Sequence, residues 1–169
     1  MSKELPVRKN IRLKEYNYSQ NGAYFLTVCV KNGHNILWKQ GFNVGANRVR
    51  PQLSDLGNVV EDEINKIDAV YKNASVNKFV IMPNHVHMII FLQNNDCNLD
   101  IDNCERTRFA PTISRIIKQT KGLITKRIGY SIWQSSFHDR IIRDEAEYRH
   151  IWHYIDNNPL NWSEDVYFT

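Results

Sequence analysis

Two histidines separated by one residue form the first pattern in the sequence that could perform chemistry. His85 and His87 belong to an apolar, β-rich run, and side chains at positions i and i+2 of a strand point to the same side. Both imidazoles could therefore bind one cation from a single rigid element. They could equally face solvent or pack in the core, where buried imidazoles would need polar partners. The spacing alone leaves both interpretations open.

A tyrosine and an asparagine near the other end of the chain form the second pattern. Tyr154 and Asn158 lie four residues apart in a segment of helical periodicity, so they should occupy neighbouring turns of one helix face. The apolar stripe of this helix must pack against the rest of the protein. That stripe consists of Tyr148, Ile151, Trp152 and Ile155. Tyr154 then lies on its flank, where it could reach a cleft or simply mark the edge of the core.

The third pattern is electrostatic, because no acidic residue occurs between Arg106 and His138, whereas lysines and arginines recur there. Solvated basic helix faces are common, but a surface of one sign is also what a phosphate backbone requires. The residues that we assign to nucleic-acid binding are Arg106, Arg108, Arg115, Lys118, Lys121 and Lys126.

Periodicity and turn signals predict the elements that must position these residues. The predicted strands cover residues 24–30, 75–82, 85–93 and 131–142, and the predicted helices cover residues 55–71, 112–128 and 144–158. Only Pro83 and Asn84 separate the second and third strands, so these strands must be antiparallel neighbours. The order predicts an α+β fold, a ferredoxin-like split βαβ sandwich. It would have an antiparallel sheet, helices on one face and an added C-terminal helix.

Composition predicts a globular protein of one domain, residues 1–169, with 42% hydrophobic and 24% charged residues. Residues 1–21 should form an irregular basic arm and residues 94–111 an acidic loop. The apolar runs are far shorter than the ~18 residues of a membrane helix. We therefore expect no membrane partner and a cytoplasmic location. The three cysteines lack C-x-x-C spacing, which favours neither a disulfide framework nor a cysteine-rich zinc site.

Three motifs, taken in order along the chain, resemble those of a known family. They are Met82-Pro83-Asn84-His85-Val86-His87, the run WQSSFHDRIIR at residues 133–143, and the run YIDNNP at residues 154–159. Together they resemble the single-tyrosine HUH transposases, most closely the REP-associated tyrosine transposases, over roughly residues 24–162. Three ordered motifs are far more specific than any one of them. The segments 31–51 and 94–111 match no motif, so their roles stay open.

The resemblance implies a role for each motif residue. His85 and His87 would bind a divalent cation, Asn158 would complete the metal site, and Tyr154 would attack DNA. Two imidazoles and an amide oxygen are neutral ligands, which suit Mg²⁺ or Mn²⁺ together with phosphate and water, although Zn²⁺ would also bind. The implied substrate is single-stranded or hairpin DNA, whose backbone an attacking phenol can reach more easily than that of an intact duplex.

The leading functional prediction is a metal-dependent DNA transposase that cleaves and rejoins single-stranded, hairpin-associated DNA through a 5′-phosphotyrosine intermediate. The alternative is a catalytically silent hairpin-DNA-binding regulator derived from such a transposase. A hydrolase of the histidine-triad type is disfavoured because position 89 is isoleucine and not a third histidine. A homodimer, and a tyrosine acting in a partner's site, both stay open. No role is assigned to His138, His150, His153, Gln134 or Arg140.

Overall fold

A computed structural model of the protein describes residues 21–40, 52–93 and 112–168. Three predicted segments therefore lie partly or wholly outside the described residues. They are nearly all of the basic arm, the end of the segment 31–51 and the whole acidic loop. Two of the residues assigned to nucleic-acid binding, Arg106 and Arg108, also lie outside the described residues.

Four strands and four helices make up the regular structure of the described ranges. The strands are β1 (Gly22–Cys29), β2 (Ala74–Ile81), β3 (His85–Leu92) and β4 (His138–Ile142). The helices are α1 (Asp55–Asn65), α2 (Ile67–Val70), α3 (Ile113–Ile128) and α4 (Glu145–Asn157). Short 3-10 turns occur at Lys31–Gly33 and Trp162–Glu164. Among these described helices, none combines the length and the apolar character that crossing a membrane requires.

The strands form one antiparallel sheet in the order β2-β3-β1-β4. Each βαβ unit therefore leaves a gap that a strand of the other unit fills, which is the arrangement of the split βαβ fold. The α+β, ferredoxin-like prediction is confirmed. In the central pair, β1 and β3, Thr27 lies opposite His87 and Cys29 lies opposite His85.

The sheet has a core on each face, because alternate residues of a strand point to opposite sides. Even-numbered residues of β1 and β3, such as Leu26 and Met88, pack in the main core with α1 and α3. Ile89 packs on the other face against Ile151 and Ile155 of α4. The added C-terminal helix thus covers the face that α1 and α3 leave free. As odd-numbered residues of β3, His85 and His87 share this face with α4.

Side-chain caps define the starts of the three longer helices. Ser54 accepts a hydrogen bond from the backbone N–H of Gly57 at 3.1 Å, and Thr112 caps α3 in the same way. Asp144 accepts from the N–H of Glu147 at 2.8 Å, which fixes the start of the helix that carries Tyr154. Such caps each stabilise a helix by about 1 kcal/mol.

Two predicted elements are shorter in the structure than in the sequence analysis. The helix predicted over residues 55–71 is interrupted at Lys66, after which α2 turns towards β2 and Asp68 accepts the N–H of Val76 at 2.7 Å. The strand predicted over residues 131–142 begins only at His138. The carbonyls of Gln134 and Ser136 in the preceding loop bind the Lys121 ammonium, so this backbone has a partner outside the sheet.

Candidate active site and metal centre

The two histidines of β3 lie side by side in the interior. His85 is 0% exposed and His87 is 2% exposed, and their Nε2 atoms are 3.0 Å apart. The structure therefore brings together the two imidazoles that the H-x-H spacing singles out, and it places them beneath the C-terminal helix.

Both rings are held at their other nitrogen by a polar neighbour. His85 Nδ1 lies 2.8 Å from Asn84 Oδ1, and His87 Nδ1 lies 2.8 Å from Thr27 Oγ1 on the adjacent strand. Burial lowers the pKa of His85 to about 3, and burial together with the charge of His85 lowers the pKa of His87 to about 3. Both imidazoles are therefore neutral near pH 7, which is the form that ligates metals.

Tyr154 of α4 reaches the same point from the opposite layer. Its hydroxyl lies 3.2 Å from His87 Nε2, and its ring packs edge-on against Phe25. Burial, followed by the nearby charge of Asp165, raises the pKa of the phenol. The phenol and the two imidazoles of one chain therefore lie together.

A carboxylate that the sequence analysis missed completes this group. The Asp165 side chain is 2% exposed, and its Oδ2 lies 3.9 Å from His85 Nε2. One ligand atom each from His85, His87 and Asp165 lies within 4.8 Å of the others. The only signal in the sequence is a pair of acidic residues shortly after the tyrosine motif, and no fixed spacing relates them to the histidines.

Asn158, the predicted third ligand, lines a cleft together with Tyr154 and Asp165. A cavity of about 430 Å³ is lined by Tyr154, Asn158 and Asp165 together with residues of α4 and the C-terminal segment. Asn158 is 3% exposed, and among the described residues neither polar atom of its side chain has a hydrogen-bond partner. A buried amide without partners is costly, and a role in binding a ligand would account for it.

This donor set fits a divalent cation. His85 Nε2 is unprotonated if its Nδ1 proton bonds to Asn84, so a lone pair faces the Asp165 carboxylate at 3.9 Å. The lone pair and the carboxylate oxygen are both acceptors. Two acceptors that face each other in the interior attract one another only through a cation or a proton that lies between them. Two imidazole nitrogens, one carboxylate oxygen and the amide oxygen of Asn158 suit Mg²⁺ or Mn²⁺.

The C-terminal segment, residues 160–168, covers the histidines. The Tyr167 ring centroid lies 4.7 Å from that of His85 and 6.2 Å from that of His87. The Trp162 ring lies 6.0 Å from His85, and the Tyr167 carbonyl accepts a hydrogen bond from Asn84 Nδ2 at 2.7 Å. Burial raises the pKa of the Tyr167 phenol to about 12. These contacts explain the low exposure of the imidazoles.

The structure places the predicted nucleic-acid contacts of α3 away from this site. Arg115, Lys118 and Lys126 are exposed on the side of α3 opposite its buried stripe, and α3 packs on the other face of the sheet. Lys121 has a structural role, because its Nζ donates to the carbonyls of Gln134 at 3.0 Å and Ser136 at 2.8 Å. Burial lowers its pKa to about 8.

Residues without an assigned role also take definite positions. His150 and His153 line the cleft beside Tyr154, and His138 on the edge strand pairs with Thr27. Arg140 forms an ion pair with Glu147, and Gln134 Nε2 donates to the Val30 carbonyl at 3.3 Å. Of the residues without an assigned role, His150 and His153 share the cleft with the Tyr154 phenol.

Sequence comparison finds relatives along nearly the whole chain, although no protein-family model matches it. An uncharacterized protein of Haemophilus influenzae is 34% identical over 175 residues, which cover 94% of this chain and 91% of the relative. A second protein of the same organism is 23% identical over 145 residues, covering 85% of this chain and 73% of the relative. Its name is "Putative REP-associated tyrosine transposase".

A solved structure shares the fold. It is a REP-associated tyrosine transposase bound to a REP hairpin, with a TM-score of 0.57 and 22% sequence identity, over 89% of this chain and 74% of that chain. At this identity the likeness concerns the fold. The motif resemblance, the second sequence relative and the fold agree, and each of them makes this chain similar to the REP-associated tyrosine transposases.

Proposed function

We propose that this protein is a metal-dependent transposase that cleaves and rejoins single-stranded, hairpin-associated DNA, with Tyr154 as the nucleophile. The observation that carries the proposal is the 3.2 Å approach of the Tyr154 hydroxyl to His87 Nε2, beside a buried cluster of two imidazoles and a carboxylate. The hairpin bound to the related solved structure supports the choice of substrate.

The proposed reaction exchanges one phosphodiester for another. The phenolic oxygen of Tyr154 attacks the phosphorus and gives up its proton to water, while the bond from phosphorus to the 3′ oxygen breaks and the 3′ oxygen takes a proton from water to leave as a hydroxyl. The product is a 5′-phosphotyrosine, in which the energy of the diester is conserved. A second 3′ hydroxyl can therefore attack this ester, release Tyr154 and join two strands without ATP.

The protein must hold the Tyr154 phenol in line with the bond that breaks, and it must supply ligands for the metal ion. Because burial and Asp165 raise its pKa, the Tyr154 phenol keeps its proton near pH 7 and is a weak nucleophile by itself. A divalent cation, Mg²⁺ or Mn²⁺, would neutralise the phosphodiester and stabilise charge on the leaving 3′ oxygen. His85 and His87 would hold this ion together with Asn158 and with Asp165, whose carboxylate lies 3.9 Å from His85 Nε2.

The exposed cations of α3 would bind the flanking DNA backbone and not the scissile phosphate, since they lie on the other layer. Arg115, Lys118 and Lys126 form this surface, whereas Arg106 and Arg108, which lie outside the described residues, stay predicted DNA contacts. Lys121 is the exception, because its ammonium is engaged with backbone carbonyls. The proposed reaction acts on DNA, so the cytoplasm is the compartment that we propose.

The Tyr154→Phe variant tests the proposal. With Mn²⁺ and single-stranded DNA that contains a hairpin, we expect the wild type to form a covalent protein–DNA adduct on a denaturing gel. Tyr154→Phe should form none, and its hairpin affinity should change little. Tyr130→Phe is a matched control, because Tyr130 is an exposed tyrosine outside the site. Adduct formation by Tyr154→Phe would contradict the assignment of the nucleophile.

One observation favours the alternative function, a regulator that binds hairpins without cutting them. The segment 160–168 packs on both imidazoles and leaves them 0% and 2% exposed. A turnover assay with Mn²⁺ separates the two functions. Strand transfer by the wild type supports the transposase, whereas tight hairpin binding with neither adduct nor strand transfer supports the regulator.

A further inference from the structure

We propose that Asn84 is a positioning residue that fixes the tautomer of His85 and anchors the segment carrying Asp165, so that one buried amide organises the candidate metal site from two sides. The inference rests on the proposed function in one respect, since it takes His85 as a metal ligand. It concerns a residue that acts through His85 and through the segment carrying Asp165.

The orientation of the Asn84 amide follows from its partners. The side chain is 2% exposed, and its Nδ2 donates to the carbonyls of Gly33 at 3.1 Å and Tyr167 at 2.7 Å. Carbonyl oxygens only accept, so the NH₂ group must face them. The Oδ1 atom therefore faces His85 Nδ1, 2.8 Å away. If the amide were flipped, Oδ1 would face the carbonyl oxygens of Gly33 and Tyr167, and two acceptors would oppose each other at both contacts.

This orientation decides where the proton of His85 resides. An amide oxygen can only accept, so His85 must carry its proton on Nδ1 and donate it to Asn84. A neutral imidazole then has an unprotonated Nε2. That lone pair points towards His87 Nε2 at 3.0 Å and the Asp165 carboxylate at 3.9 Å. Asn84 thereby holds His85 in the tautomer that a metal ligand needs.

His87 is held differently, because its partner is a hydroxyl. Thr27 Oγ1 can donate to Nδ1 or accept from it, so both tautomers of His87 keep this contact. Without an ion, His87 carries its proton on Nε2 and donates it to His85 Nε2. A bound ion would require an unprotonated His87 Nε2, and the neutral ring would then carry its proton on Nδ1 and donate it to Thr27 Oγ1. The imidazole is neutral before and after, so no proton is gained or lost.

The second action of Asn84 concerns the C-terminal segment. Its Nδ2 binds the carbonyl of Tyr167, two positions beyond Asp165. Among the described residues, Asp165 also supports this turn, since its Oδ1 accepts the N–H of Tyr167 at 2.8 Å. The amide therefore helps to hold the carboxylate at the site while it orients the imidazole.

Two substitutions separate these actions. Asn84→Ala removes the acceptor and the donors, whereas Asn84→Asp keeps an acceptor for His85 and loses the donors to Gly33 and Tyr167. In calorimetric titrations with MnCl₂ we expect Asn84→Ala to bind about 10- to 100-fold more weakly than the wild type. Asn84→Asp should bind more tightly than Asn84→Ala. Equal affinity of Asn84→Ala and the wild type would overturn the positioning role.

The tautomers are read directly from long-range ¹H–¹⁵N spectra of the metal-free full chain with labelled histidine, with His85→Gln to assign the signals of His85. We expect Nδ1–H for His85 in the wild type and in Asn84→Asp, and a mixture of tautomers in Asn84→Ala. His87 should show Nε2–H and move to Nδ1–H when Mg²⁺ is added. An Nε2–H form of His85 in the wild type would overturn the inference.

The two proposals can fail separately. If the wild type binds no Mn²⁺, the metal-dependent function is contradicted, while the tautomer of His85 in the metal-free protein still decides the role of Asn84. If Asn84→Ala does not fold, the spectra of the wild type and of Asn84→Asp decide it.

Discussion

At the scale of single residues, Asp165 brings a negative charge to the candidate metal site. The motif residues alone, two neutral imidazoles and an amide, would leave a bound divalent ion with its full charge. A carboxylate 3.9 Å from His85 Nε2 adds one negative charge to the donor set. Such a set binds the cation more tightly and leaves less net positive charge to attract the phosphate.

The Asp165→Asn variant should therefore weaken metal binding without lowering the stability of the metal-free protein. Loss of the charged ligand should weaken Mn²⁺ binding by about 10-fold or more. In the metal-free protein, the substitution removes a buried negative charge that faces an acceptor, and the amide oxygen can still accept the N–H of Tyr167, so the melting temperature in a chelator should not fall. Calorimetry and thermal unfolding measure the two effects.

Glu164→Gln is the matched control for this prediction, because Glu164 is an exposed acidic neighbour in the same segment. It should leave the Mn²⁺ affinity close to that of the wild type. If Asp165→Asn binds Mn²⁺ as tightly as Glu164→Gln does, Asp165 is not a ligand, and Asn158 alone would accompany the histidines.

At the scale of elements, α3 combines a buried stripe with an exposed basic one. Residues such as Ile116 and Ile124 pack in the main core, while Lys118 and Lys126 are exposed on the opposite side. Lys121 lies between the two stripes and braces the loop before β4. The same residue type thus has different roles according to its position around the helix.

The double variant Lys118→Gln, Lys126→Gln tests the basic stripe. If both lysines contact phosphates, the slope of log affinity against log salt for hairpin DNA should become less steep by about 1.4 to 1.8. Fluorescence anisotropy at several salt concentrations measures this slope. Lys39→Gln with Lys72→Gln, two exposed lysines outside α3, is the control. Equal slopes in the two double variants would exclude α3 as a DNA surface.

At the scale of the whole molecule, the buried imidazoles make folding depend on pH. The pKa of His85 and that of His87 are each about 3 in the folded chain, against about 6.5 when unfolded. Below about pH 6.5 the unfolded chain binds protons that the folded chain does not. The stability from both neutral imidazoles is therefore fully present above this pH and is lost as the pH falls towards about 3.

Urea unfolding in a chelator, at several values between about pH 7 and about pH 5, measures this effect. Each histidine should lower the free energy of unfolding by up to about 1.4 kcal/mol per pH unit in the lower part of this range. The His85→Gln, His87→Gln double variant should lose much of this dependence, whereas His138→Gln, which changes an exposed histidine, should retain it. A wild type as insensitive to pH as the double variant would contradict the burial of neutral imidazoles.

Local periodicity was sufficient to predict much of the fold and part of the site. Alternation along a strand puts His85 and His87 on one side whatever the rest of the chain does. Helical spacing puts Ile151 and Ile155 in the core and Tyr154 on the flank, and the structure agrees. The hairpin through Pro83 and Asn84 required antiparallel neighbours, which the sheet contains. These features depend on residues close together in the chain.

Only the tertiary structure decided which distant groups meet. Thr27 contacts His87 across 60 positions, and Tyr154 reaches it across 67. Strand register sets the first contact, and the sheet face that α4 covers sets the second. Asp165 reaches His85 because the chain folds back after α4. The Lys121 ammonium binds backbone carbonyls because the loop before β4 passes beside it. Packing fixes such contacts, and no local repeat in a sequence specifies them.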